Sequence, residues 1–356
     1  MCVVIAAPAV RAAMGYHLCC MISRLPAPGA RLFVPEHFVC EDYNAQVTRY
    51  KLPRKGWGKS FVYCNPLWAW RRFREIAAMR PDLLHLFNSE GYPSSYWWIR
   101  WARTRLGIPT VVSVHDPEPH PGNPLSALLH RTGLKTIRQS LHVHIFSECF
   151  QPLCKQWGFR EEQIFVIPLC TDVSNFTQYR FPEVPKENLA LFFGRLEAYK
   201  GIPVLLDAAP YVRGRLRIAI AGPGRLPPSI LQRIHAAPDL FELHNRFLHE
   251  SEVSRLFHRA SVCVMPYVQA TQSSVPWVAT AFGVPVVATA TGGLAAQVEQ
   301  CNGILVPPNN PQALAEGMLQ AVGRHVVFPE AWDPCLIASQ YQQMYQQILN
   351  SCEVAR

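Results

Sequence analysis

Two cations, Arg195 and Lys200, stand in the segment Leu191-Phe-Phe-Gly-Arg-Leu-Glu-Ala-Tyr-Lys-Gly-Ile-Pro-Val-Leu-Leu206. One apolar run ends at Gly194, and another, of helical character, begins after Gly201. This spacing predicts a buried strand that delivers both cations to the N-terminus of a helix, where free backbone N–H groups and the helix dipole favour an anion. A diphosphate asks for delocalised cationic contacts and a glycine backbone it can approach closely. Gly194, Arg195, Lys200 and Gly201 are therefore the candidate diphosphate-binding residues. A plain strand–loop–helix with solvated cations has the same spacing.

Two more glycine turns follow. Ala221-Gly-Pro-Gly224 closes the next apolar run, and Val286-Val-Ala-Thr-Ala-Thr-Gly-Gly293 repeats the strand–glycine–helix pattern. Between them lies a polar loop, Pro266-Tyr-Val-Gln-Ala-Thr-Gln-Ser-Ser-Val275. Doubly wound sheets collect ligands at the C-terminal ends of their strands, so Gly222, Gly224, Thr271, Gln272, Ser273, Ser274, Gly292 and Gly293 are candidates for holding a sugar and a nucleotide.

The elements that must position these residues are legible as short apolar runs separated by helical patterns. Strands are expected at Cys2–Ala7, Ala30–Pro35, Leu83–Phe87, Thr110–Val114, His142–Phe146 and Ile164–Pro168 in the first half. In the second half they are expected at Leu189–Phe193, Leu216–Ala221, Ser261–Pro266, Val284–Thr289 and Gly303–Val306. Such runs imply parallel strands buried on both faces. Ser251 is the expected cap of a helix at Glu252–His258, Asn310-Pro311 caps Gln312–Val322, and Gly283 with Pro285 ends the helix before them. The stretch Phe181-Pro-Glu-Val-Pro-Lys186 is polar and aperiodic. The expected class is α/β, with two doubly wound Rossmann-like domains facing a cleft. They are an acceptor-side domain at 1–180, a linker at 181–188, a donor domain at 189–335 and a closing helix at 336–356.

The second half resembles the donor domain of glycosyltransferase family 4, whose members have two Rossmann domains. The residues that carry the likeness are Gly194-Arg-Leu-Glu-Ala-Tyr-Lys-Gly201, Ala281-Phe-Gly-Val-Pro-Val-Val-Ala-Thr289, Thr291-Gly-Gly-Leu294 and Asn302-Gly-Ile-Leu-Val-Pro-Pro308. Weaker matches in the first half are Arg80-Pro-Asp-Leu-Leu-His85, Ser113-Val-His-Asp-Pro117 and Ile167-Pro168. The resemblance implies retaining transfer of a sugar from a nucleotide-sugar donor to a glycan or lipid-linked acceptor, as in extracellular polysaccharide or glycolipid assembly. It places Arg195 and Lys200 on the departing diphosphate and His115 opposite the donor sugar, as the catalytic candidate. Same-face attack assisted by the leaving phosphate needs no nucleophilic carboxylate. The chain has no Asp-x-Asp sequence, so neither a metal nor another cofactor is expected.

One departure from the family pattern stands out. Many relatives carry Glu-x7-Glu beside the sugar and ribose; the matching positions here are Ala270 and Val278. Backbone N–H groups and Gln272 would then take over sugar recognition, or activity would be lost. A nucleotide-sugar epimerase of the same architecture and an inactive scaffold descendant are the alternatives. The loop after the first strand, Arg11-Ala-Ala-Met-Gly15, offers one glycine where relatives pair two. Gly15 and Asn88 are the acceptor-side candidates.

Composition narrows the partners. Apolar residues make up 49% and charged residues 17%, which suits a folded globular chain. No apolar run approaches the ~18 residues of a membrane span, and no basic residue precedes the apolar start. The expected location is cytoplasmic, on the inner face of the membrane if peripheral. The 12 cysteines form no zinc-type ladder. Of the net +9, residues 51–105 carry +8, from 11 basic and three acidic residues, together with six of the nine tryptophans. Cations mixed with tryptophan suit an anionic membrane surface, and an ordinary solvated face has the same composition. Nucleic acid is not an expected partner.

Overall fold

A computed structural model of the chain describes residues 2–8, 10, 12–25, 30–38, 47–52, 62–87, 91–115, 117 and 124–354. The chain divides into two compact units, Met1–Thr171 with Asp333–Arg356, and Asp172–Trp332.

The first unit holds a parallel sheet of seven strands in the order β3-β2-β1-β4-β5-β6-β7. They are β1 (Val3–Ala6), β2 (Ala30–Pro35), β3 (Val47–Tyr50), β4 (Leu83–Phe87), β5 (Thr110–Val114), β6 (His142–Ile145) and β7 (Ile164–Val166). Its helices include α1 (Ala12–Ile22), α2 (Pro66–Ala78), α3 (Pro93–Trp101) and α4 (Pro124–Gln139). All four residues of β1 are fully buried, as a strand covered on both faces must be. The segment Arg11–Gly15, expected as a loop, is helical from Ala12 onward, and Gly15 sits in the first turns of α1.

The second unit repeats the plan with six parallel strands in the order β10-β9-β8-β11-β12-β13. They are β8 (Leu189–Phe193), β9 (Arg217–Ala221), β10 (Phe241–His244), β11 (Val262–Met265), β12 (Val286–Thr289) and β13 (Ile304–Val306). Between them run α5 (Ile202–Val212), α6 (Pro228–His235), α7 (Glu250–Arg259), α8 (Val275–Ala281), α9 (Gly292–Gln300) and α10 (Pro311–Ala321). Residues 172–180, which the sequence reading gave to the first domain, pack with this unit: Ser254 Oγ donates to the Phe176 carbonyl at 2.6 Å.

Every expected strand forms, trimmed by up to two residues. The strands not foreseen, β3 and β10, are edge strands of mixed polarity, Val-Thr-Arg-Tyr and Phe-Glu-Leu-His, so neither makes an apolar run. The cap of α7 also differs. His249, not Ser251, precedes the helix; its ring accepts from the Ser251 N–H, and Glu252 accepts from the His249 N–H at 2.9 Å. A Glu three residues after the cap closes a reciprocal box that Ser251 cannot make. Asn310 behaves as expected, its Oδ1 accepting from Ala313 N at 3.0 Å.

The last helix, α11 (Pro334–Val354), belongs to the first unit. Its buried stripe is Ile337, Tyr341, Met344, Tyr345 and Ile348, at helical spacing. Two tyrosines of that stripe meet three fully buried histidines of the sheet and of α1. Backbone partners fix the histidine tautomers. His144 Nε2 must donate to the Ile167 carbonyl at 3.0 Å, so its Nδ1 accepts from Ser113 Oγ at 2.6 Å. Ser113 then accepts from His85 Nε2 at 2.6 Å, leaving His85 Nδ1 to accept from Tyr345 at 2.8 Å. Likewise His17 Nδ1 accepts from Cys170 N at 2.8 Å and Nε2 donates to the Tyr341 oxygen at 2.9 Å. Burial holds His17 down to about 3 and His144 down to about 4, and lowers His85 as well. All three rings are neutral near pH 7.

Candidate functional site

The order reversal of the second sheet falls between β8 and β11, and ligands of open α/β sheets bind outside strand ends at such a point. Gly194 follows β8 with φ of 136°, a backbone setting suited to glycine. Arg195 turns outward and pairs with Glu197 at 2.6 Å. A short 3-10 turn, Ala198–Lys200, brings Lys200 back inward, where it is 9% exposed. Its Nζ donates to the Tyr267 hydroxyl oxygen at 2.7 Å and lies 3.9 Å from the centre of that ring. A Cβ on Gly194 would stand 3.7 Å from the same Nζ, so the ammonium lies beside the glycine backbone. Burial brings the Lys200 amine down to about 7; Arg195 pushes the same way and Glu197 opposes.

The glycines let these turns close on one another. Gly201 has φ of 72°, and a Cβ there would fall 1.8 Å from the Pro266 carbonyl oxygen at the end of β11. A Cβ on Gly222 would stand 2.0 Å from the Gly194 oxygen, and one on Gly224 2.6 Å from Leu196. Gly222 and Gly224 thus first serve the packing of the β8 and β9 turns. Arg195, Glu197, Gly224 and Arg225 line one surface depression there. Arg225 was not singled out by motif; standing next to the second glycine turn was its only signal.

The loop after β11 is fixed from two sides. Tyr267 is buried, and its carbonyl accepts from the Thr289 hydroxyl of β12. Ser273 N–H donates to Gln297 Oε1 at 3.0 Å, and Gln297 Nε2 donates back to the Ser273 carbonyl at 3.3 Å. Ser273 Oγ accepts from Val275 N at 3.3 Å at the start of α8. Thr271, Gln272 and Ser274 are half-buried on this loop, while Ala270 and Val278 are buried. Gly292 opens α9, exposed, with Gly293 buried behind it. Neither Tyr267 nor Gln297 was foreseen: their partners lie 67 and 24 residues away.

In the first unit, His115 follows β5 directly, half-buried, with its ring edge-on to Phe146 at 5.7 Å. Gly15 has no positive φ, and the nearest atom to a Cβ there is 3.6 Å away, an ordinary contact. Asn88 lies outside the described residues. Among the described residues no three His, Cys, Asp or Glu side chains gather as a metal would need.

The sequence matches two family models, "Glycosyl transferase 4-like domain" over residues 7–170 and "Glycosyl transferases group 1" over residues 187–324. The chain belongs to the group 1, or family 4, glycosyltransferases. Among its relatives is a D-inositol 3-phosphate glycosyltransferase of Corynebacterium urealyticum, 36% identical over 63% of this chain and 58% of that one. Another, of Geodermatophilus obscurus, is 28% identical over 70% of this chain and 63% of its own length. The chain thus spans less than two thirds of the curated relatives it matches. Solved structures share the fold of this family member across its whole length. Sucrose-phosphate synthase from Thermosynechococcus elongatus superposes with a TM-score of 0.70 at 17% identity, covering 99% of this chain and 100% of that one. HepE from Anabaena, in complex with UDP, gives 0.68 at 17% identity, covering 100% and 99%.

Proposed function

We propose that this chain is a retaining glycosyltransferase that moves a sugar from a nucleotide-sugar donor to a glycan or lipid-linked acceptor, in polysaccharide or glycolipid assembly. The observation that carries the reading is the Arg195–Lys200 pair beside Gly194, at the order reversal of the second sheet. As the sugar–phosphate bond breaks, negative charge grows on the departing diphosphate, and fixed cations that need no rearrangement lower that barrier. Arg195 and Lys200 supply those charges with no metal or other cofactor. His115 donates a hydrogen bond to the donor sugar, and the 270–274 loop, with Gln272, recognises its hydroxyls in place of the missing carboxylates. The neighbour HepE is described with UDP and with UDP-glucose, which supports a nucleotide-sugar donor here.

Calorimetry with UDP, GDP and ADP tests the donor site on the wild type and on Lys200→Ala. Binding of one nucleotide, weakened at least tenfold by the substitution, is expected. No binding of any of the three overturns the reading and favours a scaffold.

The acceptor side of the proposal rests on the surface of α2 and α3. Leu67, Trp70, Arg71 and Arg74 share the exposed stripe of α2, with Leu67 73% exposed. Trp70 packs edge-on to Trp101, and the Arg105 guanidinium lies 5.8 Å from the Trp70 ring. Trp98, by contrast, is fully buried and donates to the Ala69 carbonyl, and Trp57 lies outside the described residues. Amphipathic rings beside arginines fit an anionic lipid surface. No helix among the described residues is long and apolar enough to cross a membrane, so the contact we propose is peripheral. Flotation with anionic liposomes at low salt is expected to carry the protein, and Leu67→Ser with Trp70→Ser to release it. A wild type that stays at the bottom of the gradient defeats this part alone.

A further inference from the structure

We infer that Tyr267 is a positioning residue for Lys200, holding the ammonium at the diphosphate site through its hydroxyl oxygen and ring face. The inference rests on the donor-site reading above. Lys200 is almost wholly out of water, and among the described residues no carboxylate forms an ion pair with it; the nearby Glu197 pairs with Arg195. A buried ammonium without an anion must find acceptors among neutral groups. Here those are the Tyr267 oxygen at 2.7 Å and the same ring's π face, whose centre is 3.9 Å away.

Tyr267 is in turn held at its backbone and through the loop that follows it. Thr289 Oγ1 donates to its carbonyl, and the loop that follows it is held where Gln297 bonds both the N–H and the carbonyl of Ser273. Tyr267 therefore joins the β8 turn, through its side chain on Lys200, to β12, through its carbonyl, and Gln297 of α9 fixes the loop that follows it. The groups facing the Lys200 amine are Arg195, Glu197, Tyr199 and Tyr267. Burial and Arg195 discharge it, Glu197 opposes them, and burial pushes the Tyr267 phenol up so that it remains a neutral partner. With burial bringing the amine down to about 7, the cation and the neutral amine are both present near neutral pH, and the hydroxyl oxygen 2.7 Å away accepts from either and favours the charged form.

The test is Tyr267→Phe, which keeps the ring and removes the oxygen. UDP affinity is measured by calorimetry from pH 6 to 8.5, and the Lys200 amine is titrated without ligand by NMR of 13C-methylated lysines. The expected result is a Lys200 midpoint moved to lower pH, with UDP binding weakened about tenfold at pH 7.5 and largely recovered at pH 6. Equal weakening at every pH with an unmoved midpoint means a packing role only and overturns the inference. An unmoved midpoint with wild-type affinity overturns it too, while leaving the donor site standing. A wild type that binds no nucleotide removes the donor reading and this inference with it, whatever the titration shows. Should Tyr267→Phe fail to fold, 3-fluorotyrosine at position 267 weakens the same acceptor without removing it. A smaller shift of the midpoint in the same direction is then expected, and no shift overturns the inference.

Discussion

Tyr345 of the last helix donates its hydroxyl proton to Nδ1 of His85 on β4, 2.8 Å away and 260 residues earlier in the chain. That proton begins a one-directional series that passes through Ser113 and His144 to the Ile167 carbonyl. Tyr345→Phe removes the donor and leaves a buried ring nitrogen unsatisfied. A loss of about 1–3 kcal/mol in unfolding free energy is expected, read by urea denaturation. A change below about 0.5 kcal/mol, the scale of a neutral substitution, contradicts the network.

The same histidines make stability depend on pH. In the folded chain His17 and His144 stay neutral down to about 3 and about 4, whereas the unfolded chain protonates them near 6.5. Below pH 6.5 the unfolded state binds the extra protons, so stability is full above that value and falls as pH drops toward 4. The slope is about 1.4 kcal/mol per pH unit for each histidine in that window. Thermal melts from pH 7 to 4.5 are expected to show a steep fall in Tm, shallower in a His144→Gln variant. A flat profile over the window contradicts the buried neutral assignment.

Gly201→Ala should unfold or grossly destabilise the second unit. The left-handed φ of 72° alone costs about 1 kcal/mol or more for a side chain. A Cβ placed 1.8 Å from the Pro266 oxygen forces the β8 and β11 turns apart. A loss above about 3 kcal/mol is expected by chemical denaturation. A variant within about 1 kcal/mol of wild type refutes the packing described.

Arg225 shares the depression of Arg195 and Gly224. Arg225→Ala is expected to weaken UDP binding about 3- to 10-fold and to reduce its salt dependence, without changing Tm. Unchanged affinity at low salt removes Arg225 from the site.

What was legible follows from what each feature depends on. The central strands were readable to within two residues because burial on both faces leaves a local apolar run. The edge strands β3 and β10 were not, since a strand half-covered by protein has no apolar signature. The cap at His249 escaped because serine is the commoner cap, and only the geometry shows the Glu252 carboxylate reaching back. Arg195 and Lys200 were found as charges, but the sequence could not say that one turns outward to Glu197 and the other inward to Tyr267. Long-range polar pairs such as Tyr345–His85 leave no local pattern at all.

The first unit is written in two pieces, Met1–Thr171 and Asp333–Arg356, with the whole second unit between them. On the ribosome the sheet of the first unit emerges before the second unit, yet the tyrosines that pair with His17 and His85 follow only after the whole second unit has been made. The second unit, contiguous in sequence, can complete itself during synthesis, while the first must wait, its histidine-lined face uncovered. A nascent chain stalled or clipped before Tyr341 therefore carries one finished unit and one with an exposed seam. Such a product exposes apolar surface of the kind that promotes aggregation and engages chaperones.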